Sequence, residues 1–209
     1  MANIFDIFKS IEAKRTPAGP PEYILVGLGN PGAKYAATRH NMGFIAIDYI
    51  SEKLGVSVTK SAHKALCGDA EISGKRVLIM KPQTFMNASG EAVQSAASFY
   101  KIPPEKVIVI SDDVAIPAGK VRVRPKGSAG GQKGLNDIIE KLGTDAVPRI
   151  RIGVGAERPA GYDMADFVLG VPSVTDREAI DAILPKVLGA VELICSGDVD
   201  RAMSQTNTK

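Results

Sequence analysis

The sequence is poor in several residue types on which protein chemistry often depends. Its 209 residues include no tryptophan, two cysteines and two histidines, and aromatic residues make up only 5%. Cys67 and Cys195 stand outside any CxxC pattern, which indicates two buried thiols in a reducing compartment, here expected to be the cytoplasm. His40 and His63 form neither HExxH nor another ligand spacing, so we expect no metal and no other cofactor.

Long apolar runs and a strong net charge are also missing. No run approaches the ~20 apolar residues that a membrane span needs, so we expect a soluble protein that does not bind membranes. The formal net charge is +3, which is too small to indicate nucleic-acid binding unless the charges are clustered. Apolar residues at 44% and charged residues at 23% are typical of a globular domain.

The first twenty residues differ from the rest. Their apolar residues predict at most a short amphipathic docking helix, which the run Thr16-Pro-Ala-Gly-Pro-Pro ends. Asp6 and Glu12 argue against an organelle transit peptide, and no secretory signal pattern is present. We therefore divide the chain into an N-terminal extension, residues 1–21, and one domain, residues 22–209.

Strand and helix patterns alternate along this domain. Short apolar runs predict strands at 24–26, 56–60, 65–72, 76–80, 107–110 and 148–155. Helical spacing predicts four helices. The first ends at Gly55, the second and third span 89–100 and 135–142, and the last carries an apolar stripe from Ile180 to Ile194. Interleaved strands and helices with some hairpin-short connections predict an α/β fold with a mixed sheet.

Gly27-Leu-Gly-Asn-Pro-Gly32 follows the first strand and matches the GxGxxG pattern of dinucleotide-binding loops. That function needs a helix directly after the third glycine and a second strand that ends in an acidic residue. Polar residues follow Gly32 instead, and the candidate second strand ends in Lys60. A nucleotide site is therefore a weak alternative.

His40 lies in the polar loop after the first strand, near the edge of the sheet where α/β folds place ligands. Asp112 and Asp113 follow the strand at 107–110 and can reach the same cleft, and spacing does not choose between them. An aspartate that accepts the imidazole N–H leaves the other nitrogen free to take a proton from water. Since neither a GxSxG elbow nor a cysteine signature is present, a water-activating pair is the remaining option.

Asn30 and Asn87 carry amides that suit a peptide or ester carbonyl. Each also has a structural interpretation, because Asn30 could be a turn residue and Asn87 a helix N-cap.

Basic and apolar residues alternate along two predicted strands. Positive side chains share one face of each strand: Lys120, Arg122, Arg124 and Lys126, and then Arg149 and Arg151. Beside a glycine-rich loop and a helix N-terminus, they predict a surface for a polyanion. Edge strands kept soluble by charge are the alternative.

Together these segments resemble bacterial-type peptidyl-tRNA hydrolase from about Tyr23 to the final helix. The motifs that carry the resemblance are GLGNPG at 27–32, YAATRHN at 35–41, KPQTFMNASG at 81–90, SDD at 111–113, GSAGG at 127–131 and RIRIGVG at 149–155. The resemblance implies a single α/β domain with a twisted mixed sheet flanked by helices. It also implies a monomer that acts on peptidyl-tRNA and requires no metal and no protein partner.

The resemblance further implies hydrolysis of the ester between peptide and tRNA, with His40 as the base that activates water and Asp112 as its partner. Asn30 and Asn87 would position the peptide near its ester, Asn30 helping to reject a free amine. By the same resemblance, Tyr35 and Phe85 would line the channel for the acceptor end and the peptide. Arg124 and Arg151 would bind the terminal phosphate of the tRNA.

One segment departs from the resembled pattern. Gln132 and Lys133 stand where that family usually has His-Asn, and Lys133 cannot accept a hydrogen bond as an amide does. Lys133 could contact a phosphate instead. The alternative is an RNA-binding relative without hydrolase activity. Against it stands the presence of the full set of implied site residues, His40, Asp112, Asn30 and Asn87.

Overall fold

A computed structural model describes residues 19–155, 161 and 163–207. The short helix predicted within residues 1–21 lies almost wholly outside these residues, as does most of the loop that precedes Asp163. In the described part the strands are β1 (Tyr23–Gly27), β2 (Lys60–Ala62), β3 (Ala65–Ile72), β4 (Lys75–Pro82), β5 (Val107–Pro117), β6 (Val121–Arg124) and β7 (Arg149–Gly155).

Six α-helices accompany these strands in the described residues. They are α1 (Met42–Leu54), α2 (Ser89–Tyr100), α3 (Lys133–Leu142), α4 (Met164–Leu169), α5 (Val174–Cys195) and α6 (Val199–Thr206). Short 3-10 helices occupy Ala33–Tyr35, Arg39–Asn41, Met86–Ala88 and Pro104–Lys106. The helices predicted at 89–100 and 135–142 are confirmed, the second beginning two residues earlier.

The strands form one mixed sheet in the order β2-β3-β4-β1-β5-β7-β6. β1 pairs in parallel with β4 and β5, and β5 pairs in parallel with β7, whereas β3 and β6 are antiparallel to their neighbours. The mixed α/β sheet expected from the sequence is therefore confirmed. The carboxyl ends of the four parallel strands meet at one edge of the sheet, which is where such folds hold their ligands.

Helices cover both faces of the sheet. One buried cluster joins the sheet to α1, α5 and α6 through residues such as Ile47, Ile110 and Val187. The other joins it to α2 and α3 through residues such as Val93 and Leu135. Because both faces are covered, the central strands read as continuous apolar runs rather than as alternating patterns.

Two predicted strands differ from the observed ones. The strand expected at 56–60 is absent: β2 begins at Lys60 and pairs only with Ala65, Leu66 and Cys67 of β3. β5 continues to Pro117 instead of stopping at residue 110. After β1 ends, β7 still pairs with β5 on its other side, so the ladder continues through Asp112 and Asp113.

Two glycines, one at the end of β1 and one in the first turn of α1, allow α1 to approach the sheet closely. A Cβ atom on Gly27 would overlap the carbonyl oxygen of Gly43 in α1, and one on Gly43 would overlap the backbone nitrogen of Leu28. Gly32 has a φ of 105°, a conformation that other residues avoid. Only a three-residue 3-10 helix follows Gly32, so the helix required by a dinucleotide loop is missing.

Candidate active site

His40 and Asp112 are hydrogen-bonded at the edge of the sheet where the parallel strands end. Nδ1 of His40 lies 2.8 Å from Oδ2 of Asp112, and the side chains are 12% and 3% exposed. A carboxylate can only accept a hydrogen bond, so Nδ1 carries the proton and Nε2 is unprotonated in the neutral ring. The pair therefore leaves one imidazole nitrogen able to accept a proton.

The end of β1 creates the space that His40 occupies. After Gly27 the chain leaves the sheet, and the N–H of Leu28 makes a last hydrogen bond to the carbonyl of Ile110 at 2.9 Å. The 3-10 helix Arg39–Asn41 then packs against β5. Because β5 extends beyond β1, its residue Asp112 has no strand neighbour on that side and meets the imidazole instead.

The two consecutive aspartates of β5 take different partners. Asp112 binds His40, whereas Oδ2 of Asp113 lies 2.5 Å from Nη2 of Arg151 and its Oδ1 accepts the N–H of Ala115 at 2.9 Å. Successive side chains of a strand point in opposite directions, so one strand cannot present both carboxylates to the same imidazole. The choice that spacing left open therefore falls on Asp112.

Asn30 is buried beside this pair and is held by two separate segments. Its backbone N–H donates to Oδ1 of Asn41 and its carbonyl accepts from Nδ2 of Asn41, both at 2.9 Å. Its side-chain Oδ1 accepts the N–H of Met86 at 2.8 Å. The amide is therefore oriented, and its Nδ2 group remains available to donate to a ligand.

These side chains line a cavity of about 710 Å³. Its walls include Asn30, His40, Phe85, Asn87, Asp112, the segment 129–133, Arg151 and the α4 residues Met164, Val168 and Leu169. The cavity thus combines oriented amides, the imidazole–carboxylate pair, apolar walls and two cations, Lys133 and Arg151. A cavity of this size suits a small molecule or one end of a larger one.

Phe85 and Asn87 extend into this region from the segment before α2. Phe85 is 51% exposed, has a φ of 58° and meets the ring of Tyr35 edge-on at 6.5 Å. Tyr35 is not among the residues that line the cavity, and its ring lies against that of Phe85, which is. Asn87 lies inside the 3-10 helix Met86–Ala88, and the N-cap of α2 is Ala88. The N-cap interpretation of Asn87 is therefore wrong.

The basic strands divide into an exposed set and one buried residue. Arg122 and Arg124 are exposed on the edge strand β6 and lie opposite Arg151 and Arg149 in the ladder. Arg149, however, is 2% exposed. Its guanidinium donates to the carbonyls of Val147, Gly127, Ser128 and Asp145 at 2.6–3.1 Å. Burial lowers the pKa of Arg149. Its predicted place on a polyanion surface is wrong, because it organises the glycine-rich loop from inside.

Sequence reasoning missed two residues and one helix at this site. Asn41 and Gln132 both contact the predicted residues, Gln132 through a hydrogen bond from Nε2 to Oδ1 of Asp112 at 3.1 Å. Asn41 directly follows His40, which was a usable signal. Helix α4 has too few residues for periodicity to reveal it.

Two further features bear on the kind of site this is. Among the described residues, no three His, Cys, Asp or Glu side chains cluster as metal ligands. Within the same residues, no helix has the length and apolar character needed to cross a membrane.

The fold and the site define a class of protein. It is an α/β domain with a pocket at the carboxyl ends of its parallel strands. The pocket contains an imidazole hydrogen-bonded to a carboxylate, and amide side chains held by hydrogen bonds. The family model described as peptidyl-tRNA hydrolase matches residues 24–209. The chain therefore belongs to the peptidyl-tRNA hydrolase family, a family of ester hydrolases, as its motifs predicted.

Individual relatives agree with this assignment. The chain is 48% identical to a peptidyl-tRNA hydrolase of Agathobacter rectalis, over 88% of this chain and 100% of that one. It is 47% identical to one of Caldicellulosiruptor bescii, over 89% of this chain and 97% of that one. The crystal structure of peptidyl-tRNA hydrolase from Acinetobacter baumannii superimposes with a TM-score of 0.83 at 32% identity, covering 92% of this chain and 98% of that one.

Proposed function

We propose that this protein hydrolyses the ester between the peptide and the 3′ ribose of peptidyl-tRNA, which returns free tRNA to translation. The observation that carries the proposal is the 2.8 Å hydrogen bond between His40 and Asp112 in the wall of the cavity. Membership of the peptidyl-tRNA hydrolase family supports the substrate class.

In the proposed mechanism, Asp112 holds the proton on Nδ1 of His40, and Nε2 takes a proton from water. The water oxygen forms a bond to the carbonyl carbon of the ester, and the carbonyl electrons move onto its oxygen. When this tetrahedral intermediate collapses, the bond to the ribose oxygen breaks and the imidazolium returns its proton to that oxygen. The products are a peptide with a free carboxylic acid, which then releases its proton to solvent, and a tRNA with a free 3′ hydroxyl.

We assign the amides to the peptide. Oδ1 of Asn30 is already engaged by the N–H of Met86, so the NH₂ group is the part of Asn30 that can donate to a carbonyl. Oriented donors stabilise the negative charge of a tetrahedral intermediate more than they stabilise the starting ester. Asn87 is exposed in the same wall and can bind the peptide backbone, with Asn30 helping to reject a substrate whose amine is free.

The tRNA end is assigned to the aromatic pair and the cations. Tyr35 and Phe85 would line the channel for the acceptor end, because bases and peptide groups stack on exposed rings. Arg124 and Arg151 would bind a terminal phosphate. Since Arg151 is paired with Asp113, we assign the larger share to Arg124, with Lys133 as an added contact. We expect the protein to act as a monomer that needs no protein partner, in the reducing cytoplasm that its two unpaired thiols fit.

The test is release of tRNA from an N-blocked aminoacyl-tRNA under multiple-turnover conditions. We expect His40→Ala to lower kcat/KM by about 10²- to 10⁴-fold, the usual contribution of a general base. His63→Ala removes the other histidine, which lies on the β2–β3 turn, and should leave the rate unchanged. Equal rates for the wild type and His40→Ala would refute the mechanism. Salt-dependent RNA binding without turnover would identify a binding protein instead.

A further inference from the structure

Gln132 connects the N-terminus of α3 to the carboxylate of Asp112. Its buried side chain caps the helix, because Oε1 accepts the N–H of Leu135 at 2.7 Å. The other end of the same amide, Nε2, donates to Oδ1 of Asp112 at 3.1 Å. One side chain therefore both stabilises a helix end and contacts the partner of His40.

The orientation of this amide follows from its neighbours. A backbone N–H can only donate and an ionised carboxylate can only accept, so oxygen must face Leu135 and nitrogen must face Asp112. A flipped amide would place two donors together at Leu135 and two acceptors together at Asp112. The donor toward Asp112 is thus a consequence of hydrogen-bond chemistry rather than an arbitrary choice of rotamer.

With this contact, both oxygens of Asp112 are engaged. Oδ1 accepts from Gln132, and Oδ2 accepts from Nδ1 of His40. Two hydrogen bonds in different directions fix the plane of a carboxylate, whereas one leaves it free to rotate. Since a primary amide does not titrate near neutral pH, this restraint stays the same across the working range of a hydrolase.

We propose that Gln132, in the wall of the cavity, is a positioning residue for hydrolysis that acts through Asp112. It holds Oδ2 toward His40, so that the proton stays on Nδ1 and Nε2 remains free for water. This inference rests on the proposed roles of His40 and Asp112. It assigns a function to a side chain at which the sequence departs from the His-Asn pattern that it resembles.

The capping and positioning roles of Gln132 can be separated by substitution. Gln132→Glu has the same shape and still offers an oxygen to Leu135, and a carboxylate at a helix N-terminus is favourable. It offers no donor to Asp112 when ionised. Gln132→Met has a similar volume and removes both interactions. Positioning predicts that both variants lose turnover, whereas capping alone predicts that only Gln132→Met is affected.

The kinetic experiment measures kcat and KM with an N-blocked aminoacyl-tRNA at pH 8, and thermal unfolding of each variant. We expect Gln132→Glu to lower kcat by about 10- to 100-fold, the range for one hydrogen bond to a charged group. KM should stay within about twofold, because Asn30, Asn87 and Phe85 are unchanged. The melting temperature should fall, because a second carboxylate then faces Asp112, so kcat is measured at a temperature at which each variant is fully folded.

A spectroscopic experiment tests the positioning role of Gln132 without measuring turnover. The chain has two histidines, so in a His63→Gln background every imidazole signal belongs to His40. Long-range ¹⁵N–¹H spectra distinguish a proton on Nδ1 from one on Nε2. We expect a single Nδ1–H tautomer with Gln132 present and a mixture of tautomers in Gln132→Glu and Gln132→Met.

The outcomes separate this inference from the proposed function. If Asp112→Asn lowers kcat while both Gln132 variants keep it and keep one tautomer, the positioning role is refuted and the proposed function stands. If turnover falls only in step with loss of folding, Gln132 is a helix cap and nothing more. If the wild type releases no tRNA, the proposed function itself fails. If His40→Ala and Asp112→Asn both keep turnover, the proposed mechanism fails. In either case the tautomer spectra still decide whether Gln132 orients Asp112.

Discussion

Asn41 holds the backbone of Asn30 at both of its polar groups. The side-chain oxygen of Asn41 accepts the N–H of Asn30 and its nitrogen donates to the carbonyl, each at 2.9 Å. Both residues are buried. The loop after β1 is therefore joined to the 3-10 helix that carries His40, so the amide of Asn30 and the imidazole of His40 are positioned as one unit.

Loss of this contact should destabilise the protein and slow hydrolysis together. Asn41→Ala leaves the N–H and carbonyl of Asn30 buried without partners, so we expect the free energy of unfolding to fall by about 2–4 kcal/mol. Urea denaturation measures this change. Asn136→Ala removes an exposed asparagine and should change stability by less than about 0.5 kcal/mol. An equally small effect of Asn41→Ala would contradict the structural role.

Arg149 should matter for stability and not for RNA binding. Arg149→Lys replaces a planar fork that reaches four carbonyls by an ammonium with another geometry, so we expect unfolding free energy to fall by about 2–3 kcal/mol. Arg122→Lys, on the exposed face of β6, is the matched control and should be near neutral. If Arg149→Lys keeps the stability of the wild type but binds tRNA more weakly, Arg149 contributes to the polyanion-binding surface predicted from its sequence pattern, and its structural role is contradicted.

Arg124 should show the opposite behaviour. If it binds a tRNA phosphate, Arg124→Ala removes one released counterion, and the slope of log K against log salt should fall in magnitude by about 1. Titrations of tRNA at several salt concentrations give this slope, and the melting temperature should not change. Lys60→Ala removes a cation at the opposite edge of the sheet, on β2, and should leave the slope as it is. Equal slopes for all three proteins would place the tRNA elsewhere.

The two buried thiols should make stability decrease at alkaline pH. Burial raises the pKa of Cys67 to about 11 and that of Cys195 to about 12, from an ordinary value of 9.0. Above pH 9 the unfolded chain loses thiol protons that the folded chain keeps. The stabilising contribution is thus complete below pH 9 and is lost as pH rises toward 11 and 12, by about 1.4 kcal/mol per pH unit for each thiol.

Urea denaturation between pH 8 and 11 tests this dependence. A variant with Cys67→Ala and Cys195→Ala should show a shallower alkaline slope than the wild type, whatever its absolute stability. At pH 8 the native thiols should also react slowly with a disulfide reagent, and both should react quickly in urea, because the thiolate is the reactive form. Identical slopes, or fast labelling of the native protein, would show that these thiols are not shielded as the structure places them.

Much of the fold was predictable because its elements carry local patterns. The apolar runs of β1, β4 and β5 and the helical spacing of α1 and α5 are set by short stretches of sequence, and the structure confirms these elements. The prediction of a strand at 56–60 was wrong, because an edge strand exists only where its partner pairs with it. The end of β5 was misjudged for the same reason, since pairing with β7 continues it to Pro117.

The candidate site was predictable only in part. The motifs pointed to His40, Asn30, Asn87 and an aspartate pair, because each of these residues lies in a short and distinctive segment. They did not reveal Gln132, whose contact with Asp112 spans 20 residues. They also did not separate Arg149 from Arg151, because alternation places both arginines on the same face of the strand and does not show which part of that face the segment at Gly127 and Ser128 covers.

By itself the sequence determined the family, the mixed α/β class and the segments that carry the chemistry, since motif and periodicity are properties of neighbouring residues. Only the tertiary structure decided which aspartate meets His40, which arginine is buried and which amide holds Asp112. Those choices depend on distant segments that meet at the sheet edge, as His40 and Asp112 do across 72 residues. Hydrogen-bond geometry and burial act on such contacts only after the chain has folded.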